Sequence, residues 1–259
     1  MVTRAALILM CLGLAAAAQT KTTGSTQSTA PKKPATKATA KANPTAIIHT
    51  TAGDMKCTLF SDRDPKAVAN FIGLSKGTKP WKDPISGKTI QGKPLYDGVI
   101  FHRTIPDFMI QAGDPTGTGS GDPGFKVSDE LYPDLLFDQP GRLAMANIAG
   151  QPGSSSSQFF ITEKNLPSLN PCLDEGGCPQ LGRPKGTGYI IFGQCDESTV
   201  ELVKKIARMP RGAADRPTNP VKITHIEIQG AGGAAAKPAA KKPADTKATA
   251  PAKPTQPKN

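Results

Sequence analysis

The chain has 259 residues, of which 37% are hydrophobic and 20% charged, and its formal net charge is +11. A charge of this size raises nucleic acid or an anionic surface as a partner. However, residues 1–18 carry +1 and residues 19–44 and 230–259 carry +5 each, so the composition excludes a strongly basic central region over 45–229.

The first 18 residues combine one positive charge at Arg4 with an apolar run over 5–18 that ends in small residues. This pattern predicts a cleavable export signal, and the run is short for a membrane span. An uncleaved anchor is the alternative, whereas a lipoprotein attached through Cys11 is disfavoured because the bulky Met10 precedes it. We therefore expect an exported protein, periplasmic or extracellular.

Segments 19–44 and 230–259 consist mostly of Ala, Lys, Pro, Thr, Gln, Ser and Gly, without aromatic residues. They have too little apolar surface to offset the entropy of ordering, which predicts two disordered tails. Nucleic-acid binding is disfavoured because no aromatic side chain is present to stack on bases. The lysines fit either solubilising linkers or electrostatic association with an anionic envelope.

The central region begins with a predicted hairpin and a predicted helix. Residues 46–60 form two strand-like runs around a Gly53-Asp54 turn, a pair typical of tight hairpins. Residues 64–77 have helical spacing of apolar residues, with Asp64 as the expected cap and Pro65 in the first turn. A Gly- and Pro-rich loop is predicted to follow.

The remainder of the region predicts short strands and one more helix. The strands are expected at 99–105, 108–111, 142–148, 157–163, 189–195 and 221–229, and the amphipathic helix at 197–209. Five glycines between Gly113 and Gly124 predict a loop. Many short strands with two helices indicate a mainly β fold, an antiparallel barrel with helices closing its ends.

Four cysteines remain beyond the export signal. Cys172 and Cys178 bracket a short loop with two glycines, and a local disulfide is the natural interpretation in an exported protein. Zinc binding is the rival, but no His lies at finger spacing from this pair. Cys57 and Cys195 lie in strand-like runs and are interpreted as small core residues; whether they pair is open.

Three motifs give the central region a specific resemblance. The run FHRTIPDFMIQAGDPTGTG is followed by MANIAG and then by SSQFFIT. This series resembles the signature of cyclophilin-type peptidyl-prolyl cis/trans isomerases, and specifically bacterial secreted members. The segments VANFIGLSKG, KPLYDGVIFHR, YIIFG and DRPTNPVKI also look like cyclophilin segments in the family's order.

The resemblance implies a closed eight-stranded antiparallel barrel capped by two α-helices, with an outer groove for proline-containing polypeptides. It implies a monomer that needs no cofactor and no metal. The implied catalytic residues are Arg103, Gln111 and Asn147. The implied substrate-binding residues are Phe108, Met109, Ala146, Gln158, Phe160, Leu169 and Tyr189. Tyr189 stands where many members carry His.

The chemistry of proline isomerisation is consistent with Arg103. Rotation about a peptide bond breaks amide resonance, and in the twisted state the proline nitrogen regains a localised lone pair. A guanidinium near that nitrogen binds the twisted state better than the planar one. The neighbouring His102 is interpreted as structural, because adjacent strand residues point to opposite faces.

Two departures from the cyclophilin pattern concern the rim of the groove. Ser168 stands where cyclosporin-sensitive members carry Trp, so we expect weak cyclosporin binding. Residues 171–188 form an insertion that includes the cysteine pair. The leading hypothesis is an isomerase that assists folding of exported proteins. The alternative is a proline-peptide-binding chaperone module that the basic tails hold at the cell envelope.

Overall fold

The computed structural model describes residues 42–148 and 151–230. The predicted export signal and nearly all of both predicted tails lie outside these described residues.

The described chain is mainly β. Its strands are β1 (Thr45–Thr50), β2 (Gly53–Leu59), β3 (Trp81–Lys82), β4 (Thr89–Ile90), β5 (Arg103–Ile105), β6 (Met109–Ala112), β7 (Arg142–Met145), β8 (Phe159–Thr162), β9 (Ile191–Cys195) and β10 (Ile223–Gln229). Its α-helices are α1 (Pro65–Ser75) and α2 (Glu197–Ala207). Neither helix has the length and apolar character that a bilayer crossing requires.

Eight of these strands form one curled antiparallel sheet in the order β10-β1-β2-β9-β7-β8-β6-β5. The edge strands β5 and β10 share no strand ladder within the described residues. Instead, backbone hydrogen bonds join the segment before β5 to the start of β10 and the residues before it: Phe101 N donates to Val221 O at 2.9 Å, and Ile223 N donates to Val99 O at 2.8 Å. The sequence therefore predicted the strand number and the antiparallel barrel type correctly, but the ladder does not close the ring.

The strand predicted over 99–105 is consequently much shorter in the structure. Only Arg103–Ile105 forms a strand, and Ile100 makes a single bridge to Lys222. The predicted early loop, conversely, contains the small β3–β4 ribbon, in which Trp81 pairs with Ile90.

The predicted hairpin turn is shifted by two residues. The turn is Thr51-Ala52, and Gly53 already pairs with Thr50 in the ladder. The Thr50 hydroxyl explains the shift, since it donates to Gly53 O at 2.6 Å and accepts from Ala52 N at 3.1 Å. Gly53 has φ +131°, a conformation that other residues rarely adopt.

The two helices differ at their N-termini. Asp196 caps α2, since its Oδ1 accepts from Thr199 N at 2.9 Å. The predicted cap of α1 is wrong: Asp64 precedes the helix but its side chain makes no capping hydrogen bond. The Asp64 side chain is instead fully buried, and neither carboxyl oxygen has a partner among the described residues.

Apolar side chains form two clusters on opposite faces of the sheet. The main core includes Phe71, Tyr96, Phe159 and Phe192, with the ring of Phe71 within 5.5 Å of the other three ring centroids. The second cluster surrounds Phe160 on the outer face. This second cluster contains most of the predicted groove residues.

A disulfide joins two neighbouring strands within the main core. Cys57 on β2 and Cys195 on β9 are directly opposite in the ladder, and their sulfurs are 2.04 Å apart. The interpretation of these cysteines as ordinary core residues was therefore incomplete. Their spacing of 138 residues gave no local signal of pairing.

Candidate active site

The register of three strands places the central groove residues side by side. Arg103 on β5 is opposite Gln111 on β6, and Gln111 is opposite Phe160 on β8. Directly opposite residues share a face of the sheet, and so do residues two apart along one strand. Arg103, Gln111, Phe160 and Met109 therefore project from the outer face of the sheet.

The apolar part of the site is one continuous cluster. Met109 and Phe160 are 2% and 4% exposed, so they form its floor. The other predicted apolar residues pack on them at the rim: Phe108, Ala146, Leu169 and Tyr189. The structure thus brings together every apolar residue that the sequence assigned to the groove.

Aromatic packing fixes the position of Tyr189. Its ring meets Phe160 edge-on, with centroids 5.5 Å apart and planes at 90°. Phe137, which the sequence did not assign to the site, stacks on the Phe160 ring with centroids 5.9 Å apart. Phe137 is fully buried, and its backbone N–H donates to Asn170 Oδ1 at 2.8 Å.

Hydrogen bonds orient the two glutamines of the site. Gln111 Nε2 donates to Gln158 Oε1 at 2.8 Å, and Gln158 Nε2 donates to Gly119 O at 3.0 Å. The Gly-rich loop that presents Gly119 is held by the Asp114 carboxylate, which accepts from Gly119 N at 2.6 Å. Because Gln158 accepts only one Nε2 hydrogen of Gln111, the carbonyl oxygen and the second Nε2 hydrogen of Gln111 remain for substrate.

Asn147 lies at the opposite end of the cluster from Arg103. Its Nδ2 donates to Gly188 O at 2.6 Å, which ties the end of β7 to the insertion. The preceding Ala146 N donates to Gln158 O at 2.9 Å. Asn147 and Gln158 are therefore part of one hydrogen-bonded frame.

Arg103 has an acidic neighbour that sequence reasoning missed. Its Nε lies 3.9 Å from Asp215 Oδ2, and Arg211 Nε lies 3.6 Å from Asp215 Oδ1. Ala214 and Asp215 both have φ +56°, a strained conformation for residues other than glycine. This backbone presents the carboxylate to Arg103. The local sequence around Arg103 does not reveal this acidic neighbour, because Asp215 comes from a distant turn before β10.

His102 is 5% exposed, and neither ring nitrogen has a hydrogen-bond partner among the described residues. Burial lowers its pKa although the nearby Asp114 carboxylate raises it. A ring buried in this way does not reach a substrate in a groove on the outer face. This placement is consistent with the structural role assigned from strand alternation.

The insertion forms one wall of the site. The sulfurs of Cys172 and Cys178 are 2.08 Å apart, which closes a disulfide loop. Isolated β-bridges join Cys172 to Thr187 and Cys178 to Arg183. The side chain of Arg183 reaches back to the groove, where its Nη1 donates to Ser168 O at 2.7 Å. Sequence reasoning did not single out Arg183.

Residues 42–148 and 151–230 contain no group of three or more His, Cys, Asp or Glu arranged to hold a metal ion. The site instead combines a half-exposed guanidinium, fixed amides and an apolar floor. Such a set can bind an apolar ring and a peptide backbone, and it can stabilise a lone pair.

A family model described as "Cyclophilin type peptidyl-prolyl cis-trans isomerase/CLD" matches residues 45–228. The chain belongs to the cyclophilin family. Peptidyl-prolyl cis-trans isomerase A of Mycobacterium tuberculosis is 45% identical over 188 residues, which cover 72% of this cyclophilin and 93% of the relative. Peptidyl-prolyl cis-trans isomerase B of Streptomyces anulatus is 39% identical over 187 residues, 71% and 95% of the two chains.

The fold of this cyclophilin is also similar to a solved structure. A Cryptosporidium parvum cyclophilin-type isomerase, crystallised in the presence of the dipeptide Ala-Pro, has a TM-score of 0.54 and 34% identity. The match covers 71% of this chain and 98% of that one. The protein is therefore a peptidyl-prolyl cis-trans isomerase of the cyclophilin type.

Proposed function

We propose that this isomerase accelerates rotation about Xaa-Pro bonds in exported proteins and thereby assists their folding. The strand register is the main support for the roles of the site residues. It sets Arg103 beside Gln111 and the Phe160 cluster on one face of the sheet. The Cryptosporidium parvum relative crystallised with Ala-Pro supports a proline-containing polypeptide as the substrate.

Arg103 stabilises the twisted bond in this proposal. The barrier to rotation is about 18–20 kcal/mol because the planar amide loses its resonance. As the bond twists, the proline nitrogen becomes a hydrogen-bond acceptor. The guanidinium of Arg103, whose side chain is 42% exposed, donates to that nitrogen more favourably than to the planar amide, so it lowers the barrier.

The remaining site residues hold the substrate while it rotates. The apolar cluster around Met109 and Phe160 takes the proline ring, with Phe108, Leu169 and Tyr189 at its rim. Gln111 accepts from or donates to the peptide backbone, and Asn147 with Ala146 guides the adjoining residues. The fixed hydrogen bonds of Gln158 and Asn147 reduce the entropy that is lost on binding.

Two features support an exported location. The first 18 residues have the pattern of a cleavable signal. The described domain contains two disulfides, which persist in oxidising compartments and are rare in the cytosol. N-terminal mass spectrometry of protein recovered outside the cytoplasm should find a chain that begins at Gln19, whereas a cytosolic chain that retains Met1 would contradict export.

The catalytic role is tested by Arg103→Ala in the full chain. We expect the catalysed rate of exchange in a short Xaa-Pro peptide to fall by about 100-fold, the effect typical of losing one transition-state donor. Arg63→Ala is the matched control, because Arg63 is similarly exposed at 38% but pairs with Asp134. An unchanged rate in Arg103→Ala, or an equal loss in Arg63→Ala, would contradict the mechanism.

A further inference from the structure

A cavity adjoins the apolar cluster around Met109 and Phe160, which is called the proline cluster below. Its volume is about 100 Å³, and its walls combine groove residues with the insertion. Leu169 and Tyr189 belong to both the proline cluster and this cavity. The insertion contributes Arg183, Thr187 and Gly188. A peptide whose proline occupies the cluster therefore has its neighbouring residues beside the cavity.

The disulfide of the insertion fixes the backbone of the cavity wall. Cys178 N donates to Arg183 O at 2.8 Å, and Arg183 N donates to Cys178 O at 3.2 Å. At the other end of the disulfide, Cys172 N donates to Thr187 O at 2.8 Å. The covalent bond between Cys172 and Cys178 thus holds both bridges, and with them Arg183 and Thr187, in place.

The guanidinium of Arg183 is anchored but carries no counter-charge. Its Nη1 donates to Ser168 O, and its central carbon lies 6.0 Å from the Tyr189 ring centroid. Its Nη2 is buried without a hydrogen-bond partner among the described residues. No described carboxylate lies within 4.0 Å of it, and Glu175, the glutamate of the same insertion, pairs with Lys185.

These features favour an anionic occupant. A buried guanidinium N–H without an acceptor is costly, and a carboxylate is the acceptor that best matches the planar guanidinium. Ser168 leaves the rim open, because its side chain is small and exposed. The positive charge of Arg183 therefore acts on the cavity without compensation from the protein.

We infer that this cavity is a specificity subsite for an acidic side chain, Asp or Glu, of the proline-containing polypeptide, and that Arg183 is its specificity-determining residue. The inference rests on the proposed function. One residue of an extended chain spans about 3.3–3.6 Å. An acidic residue within two positions of the proline can therefore reach a cavity that shares walls with the proline cluster.

The experiment compares peptides that differ only in Glu or Gln at each of the two positions before and after the proline. The full chain should isomerise the Glu peptide about threefold to tenfold more efficiently at one of these positions, as expected for a partly exposed ion pair. Arg183→Gln should abolish the preference, and Arg183→Lys should keep part of it. Raising the salt concentration should weaken the preference.

Lys185→Gln is the matched control, because it removes the same charge from the same insertion without touching the cavity. It should leave the preference for Glu intact. Equal rates for Glu and Gln at every position in an active enzyme would overturn the inference and leave the isomerase function standing. No acceleration of any peptide would instead overturn the proposed function.

Discussion

At the scale of single residues, the carboxylate of Asp215 is shared between two arginines. One of them is Arg103, at 3.9 Å, and the other is Arg211, at 3.6 Å. A long, half-exposed arginine has many rotamers, and a nearby carboxylate restricts them without touching the substrate. We therefore interpret Asp215 as a positioning residue for Arg103.

Asp215→Asn keeps the size of the side chain and removes its charge. We expect kcat to fall about threefold while KM changes little, because the ion pair is partly exposed and the guanidinium acts mainly on the twisted state. Stopped-flow isomerisation assays on a short Xaa-Pro peptide measure both constants. Asp134→Asn, which removes the partner of Arg63, should change neither; a rise in KM alone for Asp215→Asn would argue for a binding role.

Ser168 predicts the response to cyclosporin. The Ser168 side chain is exposed beside Leu169 and offers no aromatic wall. We expect Ser168→Trp to tighten cyclosporin binding about threefold to tenfold, which corresponds to one favourable aromatic contact. Isothermal titration calorimetry measures the Kd, with Ser86→Trp in the β3–β4 ribbon as the control. Nanomolar binding by the unchanged protein would contradict the prediction.

At the scale of elements, the two disulfides close loops of very different size. Their sequence separations are 138 residues for Cys57–Cys195 and 6 residues for Cys172–Cys178. The chain-entropy model then gives about 5 kcal/mol for the first bond and about 2 kcal/mol for the second. The first bond joins core strands, and the second lies in the insertion.

Replacing each pair by Ala should therefore have different results. The Cys57→Ala, Cys195→Ala variant should lose about 5 kcal/mol in the free energy of unfolding but keep its peptide preference. The Cys172→Ala, Cys178→Ala variant should lose about 2 kcal/mol and change peptide affinity a few fold, because Arg183 is released. Urea unfolding and peptide assays measure these effects. Collapse of the barrel in the second variant would refute its peripheral role.

The N-terminus of α1 contains a pH-dependent group. Burial, with a smaller contribution from the charge of Glu130, raises the pKa of Asp64 from 3.8 to about 7, although Arg63 opposes the shift. A carboxyl with a raised pKa binds its proton more tightly in the folded state. Its contribution to stability is therefore lost as the pH rises from about 4 to about 7.

Asp64→Asn should remove this loss. Relative to the original protein, the variant should gain stability between pH 4 and pH 8, by at most about 4 kcal/mol, since one pKa unit corresponds to about 1.4 kcal/mol. Thermal unfolding across this pH range measures the change. Asp174→Asn, which alters an exposed carboxyl in the insertion, is the control and should leave the pH profile unchanged. A constant difference between Asp64→Asn and the original protein would contradict the prediction.

The same elements indicate what a sequence can predict. Alternation predicted β10, and amphipathic spacing predicted α2, because both signals lie within the element itself. The turn after β1 lies at Thr51-Ala52 and not at the expected Gly53-Asp54 pair, because the Thr50 hydroxyl donates to Gly53 O. The cap of α1 failed because tertiary packing buried Asp64 away from the helix N–H groups.

The site residues also divide into those with a local sequence signal and those that depend on tertiary contacts. The residues on β5, β6 and β8 were predictable from their motifs and lie together as expected. Asp215 and Arg183 were not predictable, because each reaches the site from a loop that only the folded chain brings near. The pairing of Cys57 with Cys195 likewise requires β2 and β9 to be adjacent in the sheet.

At the scale of the whole molecule, the net charge of +11 resides in the segments outside residues 45–229. We expect a chain limited to 42–230 to keep full isomerase activity on short peptides. Only the full mature chain should sediment with vesicles rich in anionic lipid, and salt should release it. Equal binding of both chains to these vesicles would contradict envelope association through the tails and would place the attraction on the domain.

The alternation of faces along the groove strands limits which insertions and deletions these strands can accept. Gln111 on β6 projects into the groove, whereas its neighbours Ile110 and Ala112 belong to the main core. A one-residue deletion in β6 would exchange these faces and damage folding and catalysis together. The segment 171–188 has no such periodicity, and its disulfide closes it independently of the sheet. We therefore expect insertions and deletions to be tolerated there, so that peptide preference can diverge through loop length while the catalytic strands change only by substitution.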